Sequence, residues 1–172
     1  MSNYISIGKF VAVHGIKGEL ILKHALGKKT NLKGLKALFT EENENSYIPW
    51  FIKGANGRSE AEVLVALEDI LSPESARKLN QKTVWITKED FEKQVSKTAP
   101  ISFIGFEVVE NDQVIGIISE VIEQPHQILC TVLINDKEAL IPLHQESLQS
   151  VDRSKRQIHV SLPSGLLDIY LQ

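Results

Sequence analysis

The 172-residue sequence is poor in residues on which several kinds of function depend: it has one cysteine, one methionine, two tryptophans and only 6% aromatic residues. The single thiol, Cys130, cannot close an internal disulfide or build a thiolate metal cluster, which points to a reducing compartment. No apolar run reaches the roughly 18 to 20 residues that crossing a bilayer requires. The amino-terminal string MSNYISIGKFVAVHGIKGE has no charged segment followed by an apolar core and a small-residue cleavage site, so no export signal is expected. A cytoplasmic address without a membrane partner follows.

Catalytic apparatus is equally scarce. A phosphate-binding loop needs Gly-x4-Gly-Lys-Ser/Thr, and the nearest string, Gly15-Ile-Lys-Gly18-Glu19, has neither the length nor the hydroxyl. The five histidines, at 14, 24, 126, 144 and 159, stand singly, without the helical i, i+4 pairing or cysteine partners of a zinc site. Cys130 lies within the apolar run Ile128-Leu-Cys-Thr-Val-Leu133, where a thiol is a small core residue and a poor nucleophile. Glu41-Glu42 and Glu89-Asp90 sit in polar segments and read as solvating charge. No carboxylate pair is placed for contrasting acid and base roles. No catalytic residue, cofactor or metal is expected, and the chain reads as a non-enzyme.

What is present is an ordinary globular composition, 42% apolar and 24% charged, with enough length for one large domain or two small ones. The formal net charge of -3 conceals opposite halves. Residues 1–97 hold fifteen Lys+Arg against twelve Asp+Glu, a net of +3, whereas residues 98–172 hold four against ten, a net of -6. Seven lysines, at 9, 17, 23, 28, 29, 33 and 36, face the single acid Glu19 between Lys9 and Lys36. Such a cluster attracts a phosphate backbone through counterion release. The competing reading is a solvated lysine-rich surface.

The apolar spacing predicts strands through most of the chain. Ile5, Ile7, Phe10, Val11 and Val13 begin one that ends at His14-Gly15, and Leu20 to His24 follows the Gly15-Ile-Lys-Gly18 turn as the second arm of a hairpin. Ala37–Thr40, Ser46–Lys53 and Glu62–Leu67 are further strands. Ser72-Pro-Glu-Ser-Ala-Arg-Lys-Leu79 has a serine cap and a proline at the first helical position, so it predicts a short helix. Thr83–Thr87 is a strand, and the charged stretch Lys88–Lys97 is helical. Ser96-Lys-Thr-Ala-Pro100 reads as a linker, where composition and charge both change. Beyond it, Phe106–Glu110, Val114–Glu123, Leu129–Ile134, Glu138–Pro142 and Gln157–Leu162 read as strands of a small barrel. Gly116 marks a bulge or a close backbone approach.

The Gly15-Ile-Lys-Gly18 turn permits positive φ and close approach of a partner, with Lys17 at its tip and His14 beside it. A KH domain also clamps nucleotides with Gly-x-x-Gly, but there the loop joins two helices. Here strand patterns flank it, and a hairpin that merely needs its glycines competes with a binding role.

The string Ile7-Gly-Lys-Phe-Val-Ala-Val-His-Gly-Ile-Lys-Gly-Glu19 resembles the amino-terminal signature of the RimM family of ribosome maturation factors. Ser72–Leu79 with Val84-Trp-Ile86 is similar to that family's helix and closing strand. Gly116–Glu123, Pro125-His126, Leu140-Ile-Pro142 and Leu162-Pro-Ser-Gly-Leu-Leu-Asp168 resemble its PRC-barrel domain. The resemblance spans nearly the whole chain. It implies a mainly β protein of two small barrels, one similar to translation-factor barrels and then a PRC barrel, with one or two short helices. The divisions are 1–92, a linker at 93–100, and 101–172.

The resemblance also implies a monomeric, non-enzymatic assembly chaperone. Such proteins bind immature small ribosomal subunits, assist folding of the head of 16S rRNA, promote its processing and contact the nineteenth small-subunit protein. The residues expected near RNA or ribosome are Lys9, His14, Gly15, Lys17, Gly18, Lys23, Lys28 and Lys29. The acidic second half suits a basic ribosomal protein. Two other functions compete: a PRC-barrel adaptor outside the ribosome, and an RNA-modifying enzyme on a barrel scaffold. The family commonly carries adjacent aromatic residues just before its second barrel, and here Thr98 and Ala99 stand in that place. Phe103 and Phe106 are expected to fill core positions instead.

Overall fold

The computed structural model describes residues 3–172, which form two compact units that meet in sequence between Ala99 and Pro100. In the first unit the strands are β1 (Tyr4–His14), β2 (Glu19–His24), β3 (Ala37–Asn43), β4 (Ser46–Gly57), β5 (Glu62–Leu67) and β6 (Thr83–Thr87). They close into a barrel in the order β1-β2-β5-β4-β3-β6. Two helices accompany them, α1 (Pro73–Arg77) and α2 (Lys88–Gln94).

Barrel closure depends on β1 serving two partners. Its first half pairs with β6, from Tyr4 opposite Thr87 to Lys9 opposite Thr83, and its second half pairs with β2, from Gly8 opposite His24 to His14 opposite Glu19. Irregularities in register between Ser6 and Gly8, and between Phe10 and Ala12, bend the strand between these two directions. They also explain the broken alternation: Ile5 and Ile7 point inward, and the next buried position is Phe10. At Gly8 a Cβ would overlap the Lys23 carbonyl, so the close approach of β1 to β2 there requires glycine.

The barrel interior is built from alternating inward positions: Leu20 and Leu22 on β2, Val63, Val65 and Leu67 on β5, Leu38 on β3, and Val84 and Ile86 on β6. Each such side chain contributes roughly 1.5–3 kcal/mol on removal from water. Helix α1 begins as the sequence indicates, with Pro73 at the first position and Ser72 as N-cap. Its capping box is closed by Ser75 in place of the usual Glu or Gln. Helix α2 ends earlier than the charged stretch suggests, at Gln94, whose Nε2 donates to the Lys33 carbonyl at 2.9 Å. The chain then lies along the first unit: Ser96 N–H donates to the Leu26 carbonyl and Ala99 is buried.

The second unit has β7 (Glu107–Glu110), β8 (Gln113–Gln124), β9 (Gln127–Ile134), β10 (Lys137–Leu143), β11 (Leu148–Asp152) and β12 (Gln157–Val160). Their order in the sheet is β10-β9-β8-β7-β12-β11, with β7 and β12 parallel and the other neighbours antiparallel. Ala139, Ile141 and Leu143 of β10 and Leu148 and Val151 of β11 pack on the same core, so the two ends of the sheet curl over one interior. The turns Asn111-Asp112 and Asn135-Asp136 hold both residues at positive φ, the type I′ arrangement that matches strand twist. At Gly116 a Cβ would overlap the Leu133 carbonyl, which is the close approach the sequence suggests. Three elements were not read in the sequence: β11, a 3-10 turn at Pro100–Phe103, and the terminal helix α3 (Leu166–Leu171). Leu167, Tyr170 and Leu171 of α3 pack against the core.

His24 is the one histidine enclosed by the first barrel, 5% exposed. Its Nδ1 accepts from the Leu26 N–H at 3.2 Å, so the neutral ring carries its proton on Nε2. Burial pushes the imidazole below its ordinary pKa of 6.5. The unfolded chain therefore takes up a proton near pH 6.5 that the folded barrel resists, and this stability contribution is complete above that pH and declines as pH falls below it. In urea denaturation at pH 7.5 and 5.5, the acid-induced drop in midpoint should be smaller in His24→Gln than in the parent. Equal drops would mean that His24 is not the coupled group.

Candidate nucleic-acid interface

The hairpin of β1 and β2 places the expected residues in three groups. His14, Gly15, Lys17 and Gly18 form its tip, where Gly15 (φ +69°) and Gly18 (φ +77°) occupy the left-handed region. Lys9 and Lys23 lie directly opposite each other on the outer face of the barrel, both exposed. Lys28 and Lys29 are exposed on the segment that follows β2. With roughly 3.3 Å of rise per residue, the five residues from Lys9 to His14 place the lysine pair about 17 Å from the tip. One short anion cannot touch all eight residues.

The electrostatics favour an external anion. Like charges directly across a ladder repel, and Lys9 and Lys23 are held in that position; Glu62, opposite Lys23 on β5, offsets them on one side only. Lys9, Lys17, Lys23, Lys28 and Lys29 make no ion pair among the described residues. The ion pairs Arg77–Glu74 at 3.9 Å and Lys93–Glu89 at 3.0 Å lie instead on exposed helix surfaces.

Barrel closure adds cations that the local sequence pattern does not reveal. At Gly18 a Cβ would overlap the Ser72 carbonyl, so the hairpin tip rests on the start of α1. Past α1, the Gln81 N–H donates to the Phe10 carbonyl and the Phe10 N–H to the Lys82 carbonyl at 3.1 Å. Exposed Lys82 thus neighbours Lys9, and α1 with Arg77 and Lys78 packs beside β1 and β2. These residues lie some sixty positions from the lysine cluster, and only the pairing of β6 with β1 brings them near. The tip also carries Ile16, 88% exposed, an apolar side chain that hairpin geometry alone does not require.

The second unit has the opposite character. Three of its four cations, Arg153, Lys155 and Arg156, are in or beside the β11–β12 turn. Arg153 lies over Phe103 and Arg156 over Phe106, 5.3 and 5.0 Å from the ring centroids. The two rings meet edge to face at 5.6 Å, Phe106 within the core and Phe103 against it. Thr98 is exposed and Ala99 buried, so neither offers an aromatic anchor. Cys130 is fully buried, and burial pushes its thiol up to about 12. Among the described residues no three His, Cys, Asp or Glu side chains gather as a metal site. Among the described residues no helix is long and apolar enough to cross a membrane.

Two family models divide the chain. The RimM N-terminal domain matches residues 5–91 and the RimM PRC barrel domain matches residues 100–166. The ribosome maturation factor RimM of Parabacteroides distasonis is 34% identical over 175 residues, covering 95% of each chain. The protein of the same name from Azobacteroides pseudotrichonymphae is 29% identical over 170 residues, covering 95% of this chain and 96% of that one. That of Amoebophilus asiaticus is 26% identical over 168 residues, covering 96% and 95%.

The seat of the hairpin on α1 is testable through its glycines. Gly18→Ala combines positive φ with overlap onto the Ser72 backbone and should lower stability by roughly 2–4 kcal/mol. Gly15→Ala meets no atom within 4 Å of its new Cβ and should cost only about 1 kcal/mol. Urea denaturation of the two variants measures the difference, and equal costs would show that the tip is not packed on α1.

Proposed function

This chain belongs to the RimM family of ribosome maturation factors, and from that premise we propose that it is a non-enzymatic assembly chaperone for the small ribosomal subunit. It binds the immature subunit, assists folding of the head region of 16S rRNA and promotes processing of that RNA. The first unit faces RNA through Lys9, His14, Gly15, Lys17, Gly18, Lys23, Lys28 and Lys29. The second unit faces a basic protein, the nineteenth of the small subunit. The protein works as a monomer in the cytoplasm, without cofactor or metal.

The observation that supports this reading best is the unpaired lysine surface on a barrel whose unit is net +3, joined to a unit that is net -6. Lysine suits a contact that must tolerate many backbone geometries, because its ammonium is a mobile point charge with three donors. His14, exposed beside the tip, supplies a ring that can stack or hydrogen-bond where a single-stranded base is offered. Phosphate contacts of this kind position a protein without reading sequence. That is the property required for holding a partly folded RNA region.

The test is to replace Lys17, Lys23, Lys28 and Lys29 together by Glu, verify the fold by circular dichroism, and measure co-sedimentation with immature small subunits over a range of salt. Association should weaken by at least about ten-fold at low salt, and its salt dependence should become shallower as phosphate contacts are lost. Unchanged binding by the folded variant would overturn the assignment of these lysines.

A further inference from the structure

In the second unit, the outer face of β8, β9 and β10 is unusually apolar for a sheet surface. Alternate residues of β9, namely Cys130, Val132 and Ile134, point into the core, so Leu129, Thr131 and Leu133 lie on the other face, where Thr131 is buried and Leu129 and Leu133 are half-buried. The registers place Leu133 between Ile117 of β8 and Glu138 of β10, Thr131 between Glu120 and Leu140, and Leu129 between Ile122 and Pro142. A sheet with one solvated face ordinarily sets polar residues outward. Here six of these nine outward positions are apolar. Ile117, Ile122 and Leu140 are 40%, 39% and 39% exposed, and none of them packs on the core. Helix α3, which could have covered such a surface, packs its Leu167, Tyr170 and Leu171 on the interior instead.

The charges around the face select its occupant. Glu120 and Glu138 lie within the three rows, and Glu107 of β7 stands opposite Ile117 at the margin. The neighbouring cation, Lys137, is engaged by the Leu171 and Gln172 carbonyls at 3.0 and 3.3 Å. The other cations of the unit are grouped at Arg153–Arg156. An acidic rim repels phosphate, so RNA is a poor occupant. A second copy of the chain would oppose glutamates to glutamates across two units of net -6. A basic protein with apolar side chains amid its positive charge satisfies both features, because desolvated apolar area supplies affinity and complementary potential supplies orientation and encounter rate.

We propose that the outer face of β8–β9–β10, centred on Ile122, Leu129 and Leu140, is the docking surface for a basic small-subunit protein. This rests on the reading of the second unit as the protein-facing one. The full-length double variant Ile122→Arg/Leu140→Arg, with folding verified by circular dichroism and thermal melting, should bind immature small subunits at least about ten-fold more weakly than the parent, since it sets positive charge against a positive partner. Ile169→Arg, at an exposed apolar position on α3, should bind like the parent. Parent-like binding by the folded double variant overturns the face while leaving the broader reading intact. Failure of the parent itself to associate overturns both.

If the double variant does not fold, a benzophenone-bearing residue in place of Leu140 alone keeps the question open to measurement. A photo-crosslink to a small-subunit protein, identified by mass spectrometry, supports the proposal. A crosslink to RNA or to another copy of the chain, or none from a chain that does associate, overturns it.

Discussion

The close approach of β1 to the backbone of β2 at Gly8 is the constraint on which the first unit depends. Where a side chain would strike the Lys23 carbonyl, the bare backbone lets β1 bend, with its first half on β6 and its second half on β2. Without that bend the sheet would end in two unpaired edges, the usual starting points for unwanted pairing. With it, the barrel closes and the hairpin tip comes to rest on the start of α1. The same closure brings Lys82 beside Lys9 and α1 beside the hairpin. A backbone requirement near residue 8 thus determines which charges share a surface with residues more than sixty positions away.

The pairing of Lys9 with Lys23 shows how the fold and the proposed function pull against each other. For stability alone, a cross-strand partner of opposite sign would serve better, by roughly 0.2–1 kcal/mol. The hairpin instead holds two like charges opposite one another and leaves both exposed. Under the proposed function, an anion lying between them would reduce their repulsion, so part of the binding free energy would come from relief of a tension already present in the free barrel. A solvated lysine surface with no partner would gain nothing from that arrangement.

Much of this was legible in the sequence, and the exceptions share a cause. Alternation disclosed β2, a run of apolar residues disclosed β5 and β-branched and aromatic residues disclosed β6, each of which alternates buried positions with less buried ones. The Ser72-Pro73 helix start disclosed itself through local backbone chemistry. β11 did not, because Leu148-Gln-Ser-Val-Asp152 is mostly polar and buries little; its place follows from pairing with β12. Helix α3 is six residues long, with a glycine at its N-cap that offers no side-chain hydrogen bond. Its register is set by packing Leu167, Tyr170 and Leu171, a tertiary effect with no short-range signature. In the candidate interface the lysine cluster and the glycine turn were readable because they are contiguous. Arg77, Lys78 and Lys82 were not, since their proximity to the hairpin is a consequence of barrel closure.

The outer face of β8–β9–β10 marks the limit of pattern reading from the other direction. Ile128 to Ile134 reads as an apolar run broken only by Thr131, a pattern expected of a strand buried on both sides. Only the register separates the Cys130 row, which is buried, from the Leu129 and Leu133 rows, which point outward. Apolar residues on an outer face do not strengthen the fold that carries them; they raise the risk of self-association. The acids at Glu107, Glu120 and Glu138 oppose that risk by like-charge repulsion between copies, while leaving the surface attractive to a cationic partner. The negative charge of the second unit therefore acts in two ways under the proposal: it opposes contact between copies of the chain, and it narrows the set of proteins for which that apolar surface would be a favourable contact.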